Sequence, residues 1–448
     1  MLFSSTSKNY KDINLKEAVL SGIAPDKSLY IPNSIERLPT IFFQDFVDYE
    51  MPEISSYILT HFFKNDLNPT TINKISQESF NFEIPLIELN KNLSILELFH
   101  GPTLAFKDVG ARFMSSLFEN FNENKETIIL TATSGDTGSA VANAFYRKKN
   151  VKVIVLYPKG KVSNVQEKQF TTLGENIVAV EVSGTFDDCQ KLVKDSFLNI
   201  DLKSKFNLTS ANSINVARLL PQSFYYFKGY AAAVKAGVIK NGDLLTYSVP
   251  SGNLGNLTGG ILAKEMGLPI KFLVATNINK TFFDFIKTQE FQPRNSIETI
   301  SSAMDVGNPS NFERLYELIS KKNKTNNNQQ IINDLCQFLT PYYFNDEDTA
   351  KNIVDIWNEY NYLIDPHTSV GVLAAKNFPS AEPVIVLSTA HPAKFPETVK
   401  NSFQKYNHNK EIKINIPERL QVFLNKEKVS LQISPNLNEL EQIIYQIS

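Results

Sequence analysis

From Thr127 onward, short β-branched runs alternate with longer amphipathic ones: "TIILTAT", "SAVANAFYRKK", "VKVIVLY", "VSNVQEKQFTTLG", "NIVAVEV". Strands that are apolar on both faces, separated by helical stretches, are the pattern of βαβ units, in which helices cover both sides of a parallel sheet. After a helical stretch from about Ser213 to Ala236 the alternation resumes with "DLLTYSVP", a glycine-rich turn, a helix reaching Met266, "IKFLVATN" and finally "PVIVLSTA". Two such series predict an α/β fold of two open, mainly parallel sheet lobes with a cleft between them. The first 95 or so residues, rich in Pro, Asn and Phe, predict an additional N-terminal domain. The expected division is 1–95 for that domain, 96–235 for a smaller lobe, and 236–448 for a larger lobe with a C-terminal extension. The polar stretch "KKNKTNNNQQ" at 321–330 reads as a solvated loop, and the last 40 or so residues as a strand and a closing helix without catalytic features.

Composition narrows the class of partner. With 45 basic and 47 acidic residues scattered along 448, the formal charge of -2 generates no field that favours nucleic acid or an anionic membrane. Cys189 and Cys336 are far apart and lack ligand spacing, so neither a disulfide nor a metal site is expected. The N-terminus has no apolar core of signal-peptide length, and no stretch approaches the roughly 20 apolar residues of a membrane span. A soluble, unprocessed, cytoplasmic protein acting on small molecules is expected.

In open parallel sheets ligands bind beyond the carboxyl ends of strands, where turns present free backbone N–H groups. Two glycine-rich turns are placed for this. One runs Ser134, Gly135, Asp136, Thr137, Gly138; the other, "SGNLGN", contains Gly252, Asn253, Leu254, Gly255 and Asn256. Neither is a dinucleotide or triphosphate motif, so a phosphate at Gly252 to Asn256 would be anchored and not transferred. Such turns also serve simply to link strand to helix. Lys107, in "FHGPTLAFKDVGARF", lies among small and apolar residues. A lysine in that setting commonly snorkels to water. If it faces a closed cleft instead, desolvation lowers its pKa and frees an amine that can attack a carbonyl. An amine beside a cradle for an unreactive phosphate points to pyridoxal phosphate, which carries both an aldehyde and a phosphate.

The motifs "HGPTLAFKDVGARF", "SGDTGSA", "NSINVARLLPQ", "SGNLGN", "NPSNFERL", "DPHTSVGV" and "STAHPAKFPE", with the opening "AVLSGIAPDKSLYIP", together resemble the threonine synthase family. The resemblance runs in consistent order from about residue 15 to 400. It implies a pyridoxal phosphate enzyme with the tryptophan synthase β-subunit-like fold, converting O-phosphohomoserine and water to threonine and phosphate; the expected assembly, a monomer or homodimer, is not settled by sequence. By position in the motifs, Lys107 would form the Schiff base and move the protons, Gly252 to Asn256 would hold the cofactor phosphate, and Thr389 would bond the pyridine nitrogen. Phe106 would wall the cofactor. The turn Ser134, Gly135, Asp136, Thr137 would bind substrate anions, joined by Arg112, Asn212, Ser213, Asn215 and Arg218. The two arginines fit ordinary surface ion pairs equally when read without the motifs, and the asparagines fit helix caps. Asp136 stands where related enzymes of this fold carry asparagine, so it must be protonated, hydrogen-bonded elsewhere or turned away. Asp108 reads as structural and His391 as a turn residue or one that supports the site from behind. The rival readings are another lyase of this fold, such as a phospholyase giving 2-oxobutyrate, and a catalytically silent binding protein.

Overall fold

The computed structural model describes residues 1–122, 125–407 and 412–447. Two sheets carry the architecture. The larger has the spatial order Leu339–Tyr343, Ile270–Thr276, Leu245–Pro250, Val384–Ser388, Leu93–Glu97, Leu86–Asn90, all parallel except the last pair. The smaller is wholly parallel, with the order Leu431–Ile433, Ile177–Val182, Val151–Pro158, Thr127–Ala132, Asn207–Ser210. The α/β class and its two parallel lobes are as the alternation predicts. The lobes interleave along the chain, however. Strands Leu86–Asn90 and Leu93–Glu97 belong to the larger sheet, and the chain's last strand crosses into the smaller one, so sheet membership does not follow the expected boundaries at 95 and 236.

The N-terminal region adds a two-stranded antiparallel sheet, Phe3–Ser5 with Tyr30–Pro32, and helices. Its core is continuous with the larger lobe: Phe42 and Phe46 pack edge-on against Phe227, and Phe46 stacks on Tyr230, both on the helix Phe224–Lys235.

Three local expectations need correction. The helical stretch predicted from Ser213 to Ala236 is broken into Val216–Leu219, a 3-10 turn Leu220–Ser223 and Phe224–Lys235, because Pro221 has no N–H to continue the ladder. The loop predicted at 321–330 is short: the helix Phe312–Asn323 runs into it, and Asn327 caps a new helix, Asn328–Cys336, by accepting from Gln330 N. The tail holds a helix at Glu418–Leu424 in addition to the expected strand and the closing helix Leu437–Ile447; residues 408–411 and 448 of that tail lie outside the described residues.

The topology locates the site. In the larger sheet the chain winds outward from Leu245–Pro250 to Leu339–Tyr343, then returns to place Val384–Ser388 on the other side. That reversal is a switch point, and the loops at its carboxyl ends begin at Ser251 and Thr389. The smaller sheet reverses at Thr127–Ala132, flanked by Val151–Pro158 and Asn207–Ser210, and its switch-point loops carry Ser134 to Asp136 and Asn212 to Arg218.

Candidate active site

Lys107 is the first residue of the helix Lys107–Phe121, at one end of a cleft between the two sheets. The turn before it is tightly built. Asp108 accepts from Thr103 N at 2.8 Å and Thr103 Oγ1 at 2.7 Å, and Leu104 takes a left-handed φ of 58°. This is the structural role expected of Asp108. Phe106 N donates to Thr389 O at 2.8 Å and His391 N to Leu104 O at 3.1 Å, stitching the lysine turn to the end of Val384–Ser388. Lys107 and Thr389 are thereby placed side by side. His391 caps Pro392–Lys394 through Nδ1, and burial lowers its pKa to about 4.

Desolvation lowers the pKa of Lys107, with Lys394 and Arg218 acting in the same direction and Asp136 opposing. Its Nζ lies 5.3 Å from the Phe106 ring centroid. A half-buried, desolvated amine with a lowered pKa suits nucleophilic work.

The loop Ser251 to Asn256 is shaped by its own side chains. Ser251 Oγ donates to Asn256 Oδ1 at 2.6 Å, Asn256 Nδ2 to Pro250 O at 2.8 Å, and Asn253 Nδ2 to Ser213 Oγ at 2.6 Å. Leu254 adopts a left-handed φ of 59° as the cap of the helix Gly255–Glu265. Gly252 is required by space, since a Cβ there would lie 2.7 Å from Met304 Cα. Among the described residues, none of the five backbone N–H groups from Gly252 to Asn256 has a protein acceptor. Five orphan donors at a helix N-terminus fit a phosphate, so the residues present suit pyridoxal phosphate.

Across the cleft, the turn after Thr127–Ala132 is held by Thr133 Oγ1, which accepts from Gly135 N and Gly138 N, both at 2.8 Å. Gly135 has φ 139°, and a Cβ would strike the Gln166 amide. Its N–H is committed, so Gly135 shapes the turn and does not offer a donor to a substrate, which corrects the expectation. Ser134, Asp136 and Thr137 line the cleft. Burial pushes the Asp136 carboxyl up, but Lys394 and Lys107, with hydrogen bonds from Lys394 and Gln166, outweigh it and hold the group well below the usual carboxylate range. The acid is therefore ionised and hydrogen-bonded elsewhere.

Arg218 is 5% exposed and lines the cleft, donating from Nη1 to Ala211 O at 2.5 Å. Its Nε is buried with no partner in the protein and lies against Gly110. Gly110 makes room for it, because a Cβ would lie 2.9 Å from that Nε. Ser213 and Asn212 also line the cleft. The Asn212 amide is already bonded to the neighbouring strand Thr127–Ala132, its Nδ2 donating to Ala132 O at 2.8 Å and its Oδ1 accepting from Ala132 N at 3.2 Å.

Two further expectations are corrected by placement. Arg112 does not reach the cleft; its guanidinium bonds Ser79 O, Glu78 O and Asn81 Oδ1. Five residues after Lys107 it lies about 140° around the helix, facing the N-terminal region. Asn215 is a buried tie, donating to Val19 O and Ser210 O and accepting from Ala217 N. Sequence reading passed over Gln166, Asp305, His367 and Lys394. His367 and Lys394 sit inside quoted motifs, and a charge or imidazole within an apolar motif was the available signal. His367 donates from Nδ1 to Asp365 and accepts from Ala303 N at Nε2, which fixes the loop packed on Gly252.

Comparison with known proteins agrees with this geometry. The family described as "Pyridoxal-phosphate dependent enzyme" matches residues 82–390, "Threonine synthase N terminus" residues 2–80, and "Threonine synthase, C-terminal" residues 368–444. A threonine synthase of Buchnera aphidicola is 39% identical over 99% of both chains. The crystal structure of threonine synthase from Escherichia coli superposes with TM-score 0.90 at 34% identity, covering 100% of each chain. That of PLP-bound threonine synthase from Brucella melitensis does so with TM-score 0.89 at 30% identity, covering 100% of this chain and 99% of that one. By likeness over its whole length in sequence and fold, the chain belongs to the threonine synthase family, pyridoxal-phosphate-dependent lyases of threonine biosynthesis.

Proposed function

We propose that the cleft converts O-phosphohomoserine and water to threonine and phosphate, with Lys107 carrying the cofactor and moving the protons. The observation that carries this reading is the meeting, in one cleft, of a desolvated amine, five acceptorless backbone N–H groups and a buried guanidinium with a free Nε. Bound pyridoxal phosphate supplies an aldehyde for an amine to condense with, and a conjugated ring that takes up the electron pair left at the substrate α-carbon. The N–H groups of Gly252, Asn253, Leu254, Gly255 and Asn256 hold its phosphate, aided by the dipole of Gly255–Glu265. Thr389 offers a neutral hydroxyl to the pyridine nitrogen, and Phe106 walls one side.

Once its amine is free, Lys107 would take the proton from the substrate α-carbon through Nζ and return it at the end. Arg218 and Ser213, with Ser134, Thr137 and the free N–H groups that begin the helix Asp136–Phe145, bind the substrate's anionic groups. Donors already aimed at the phosphate stabilise the charge that grows as it leaves. Closure of the two lobes keeps water out until it adds at the β-carbon. No helix among the described residues is long and apolar enough to cross a membrane, in keeping with work in the cytoplasm. The test is to incubate the cofactor-loaded enzyme with O-phosphohomoserine and measure phosphate and threonine together. Equal yields are expected; phosphate released with 2-oxobutyrate and no threonine would make the protein a phospholyase.

A further inference from the structure

Asp136 is 3% exposed, and two ammonium groups face it. Lys394 Nζ donates to Oδ1 at 2.7 Å, whereas Lys107 Nζ stands 4.0 Å from Oδ2, beyond hydrogen-bond reach. Gln166 Nε2 also donates to Oδ1, at 2.8 Å. Lys394 is fully buried and gives a second proton to the Thr103 carbonyl at 2.8 Å, on the turn that Asp108 braces. Two fixed acceptors on separate loops hold its ammonium in place. The other charges acting nearby are Arg218 and Asp365, which influence Lys107, and Asp108 behind Thr103.

A buried carboxylate needs a matching positive charge or must take up a proton. Were Lys107 that match, its amine would be held protonated and unable to attack an aldehyde. We infer that Lys394 is a positioning residue that serves as the counter-ion of Asp136, keeping it a carboxylate beside the cofactor site while leaving Lys107 free to lose its proton. The two carboxylate oxygens divide the work: Oδ1 is spent on Lys394 and Gln166, and Oδ2 faces Lys107 without a hydrogen bond to it. The consequence for Lys107 rests on its proposed role as the reactive amine; the ion pair needs no cofactor.

Melting of the cofactor-free protein at about pH 5 and about pH 8 tests the inference in wild type, Lys394→Met, Lys394→Arg and the double variant Lys394→Met with Asp136→Asn. Without Lys394, burial lifts the folded pKa of Asp136 above its unfolded value of about 3.9, so stability present at low pH is lost as pH rises through the folded value. The deficit of Lys394→Met relative to wild type should therefore widen from the lower to the higher pH, by about 1–2 °C for each unit of raised pKa. Adding Asp136→Asn should remove that widening, and Lys394→Arg, which keeps the charge, should run parallel to wild type. If Lys394→Met folds only when Asp136→Asn accompanies it, the counter-ion role is supported. A deficit equal at both pH values, or one that Asp136→Asn does not relieve, overturns it. Failure of the Lys107 assignment would show separately, as a loaded wild-type enzyme without a violet cofactor band.

Discussion

Arg218→Met should leave the cofactor-free protein at least as stable and the enzyme nearly inactive. The side chain is buried, gives one hydrogen bond to Ala211 O and keeps an unpartnered Nε. Burial lowers its pKa from 12.5 to about 10, with Asp108 opposing. At about 1.36 kcal/mol per unit, that fall corresponds to roughly 3 kcal/mol of unfavourable charge burial at any pH below the folded pKa. Methionine fills a similar volume and loses about 1.5–3 kcal/mol with the charged bond to Ala211 O, for a net change between zero and a gain of about 1.5 kcal/mol. In catalysis the loss of a paired guanidinium–phosphate contact, at about 1.5–3 kcal/mol per charged hydrogen bond, should reduce kcat/KM by about 10²–10⁴. The assay is thermal melting of the cofactor-free protein with and without inorganic phosphate. Wild type should be stabilised by the anion, and Arg218→Met should start no lower and respond less. A variant that melts several degrees below wild type would show that the guanidinium is a structural brace, and an undiminished response to phosphate would place the anion site elsewhere.

Gly252→Ala sets a Cβ 2.7 Å from Met304 Cα and 3.1 Å from Ala303 O, backbone atoms that cannot swing aside. The cofactor's Kd, read by absorbance titration into the cofactor-free protein, should rise at least about tenfold, equivalent to about 1.4 kcal/mol; unchanged affinity would show that the loop does not carry the phosphate. Burial pushes Asp305 up to about 7, against hydrogen bonds from Thr299 and Asn277. A folded pKa above the unfolded value of about 3.9 means that its contribution is intact at low pH and lost as pH rises through about 7. Denaturant melts of Asp305→Asn should therefore gain on wild type across that window by up to about 1.4 kcal/mol per pH unit, and parallel pH profiles would refute the assignment.

Much of the chemistry was legible before folding because the local signals agreed. The alternation of continuous β-branched runs with amphipathic ones from Thr127 onward demanded parallel sheets, and the two glycine-rich turns followed strands, where free N–H groups gather. Lys107 and the loop Gly252 to Asn256 could be singled out because residue type and neighbours were both unusual there. Helix phase was harder to read: Arg112 and Arg218 look alike in sequence, yet one points away from the cleft to carbonyls near Ser79 and the other is buried in its wall. Pro221 marked a break that the apolar run around it concealed.

What the sequence alone determined was the fold class, and it singled out the glycine-rich loop and the lysine that we propose as phosphate cradle and reactive amine; each of these depends on short-range pattern. Only the tertiary structure decided how charge is balanced around them. Asp136 and Lys394 lie on different loops of different lobes, and no local rule pairs them; their ion pair exists because the lysine turn, the helix beginning at Asp136 and the turn after Val384–Ser388 converge on one buried point where an uncompensated charge could not persist.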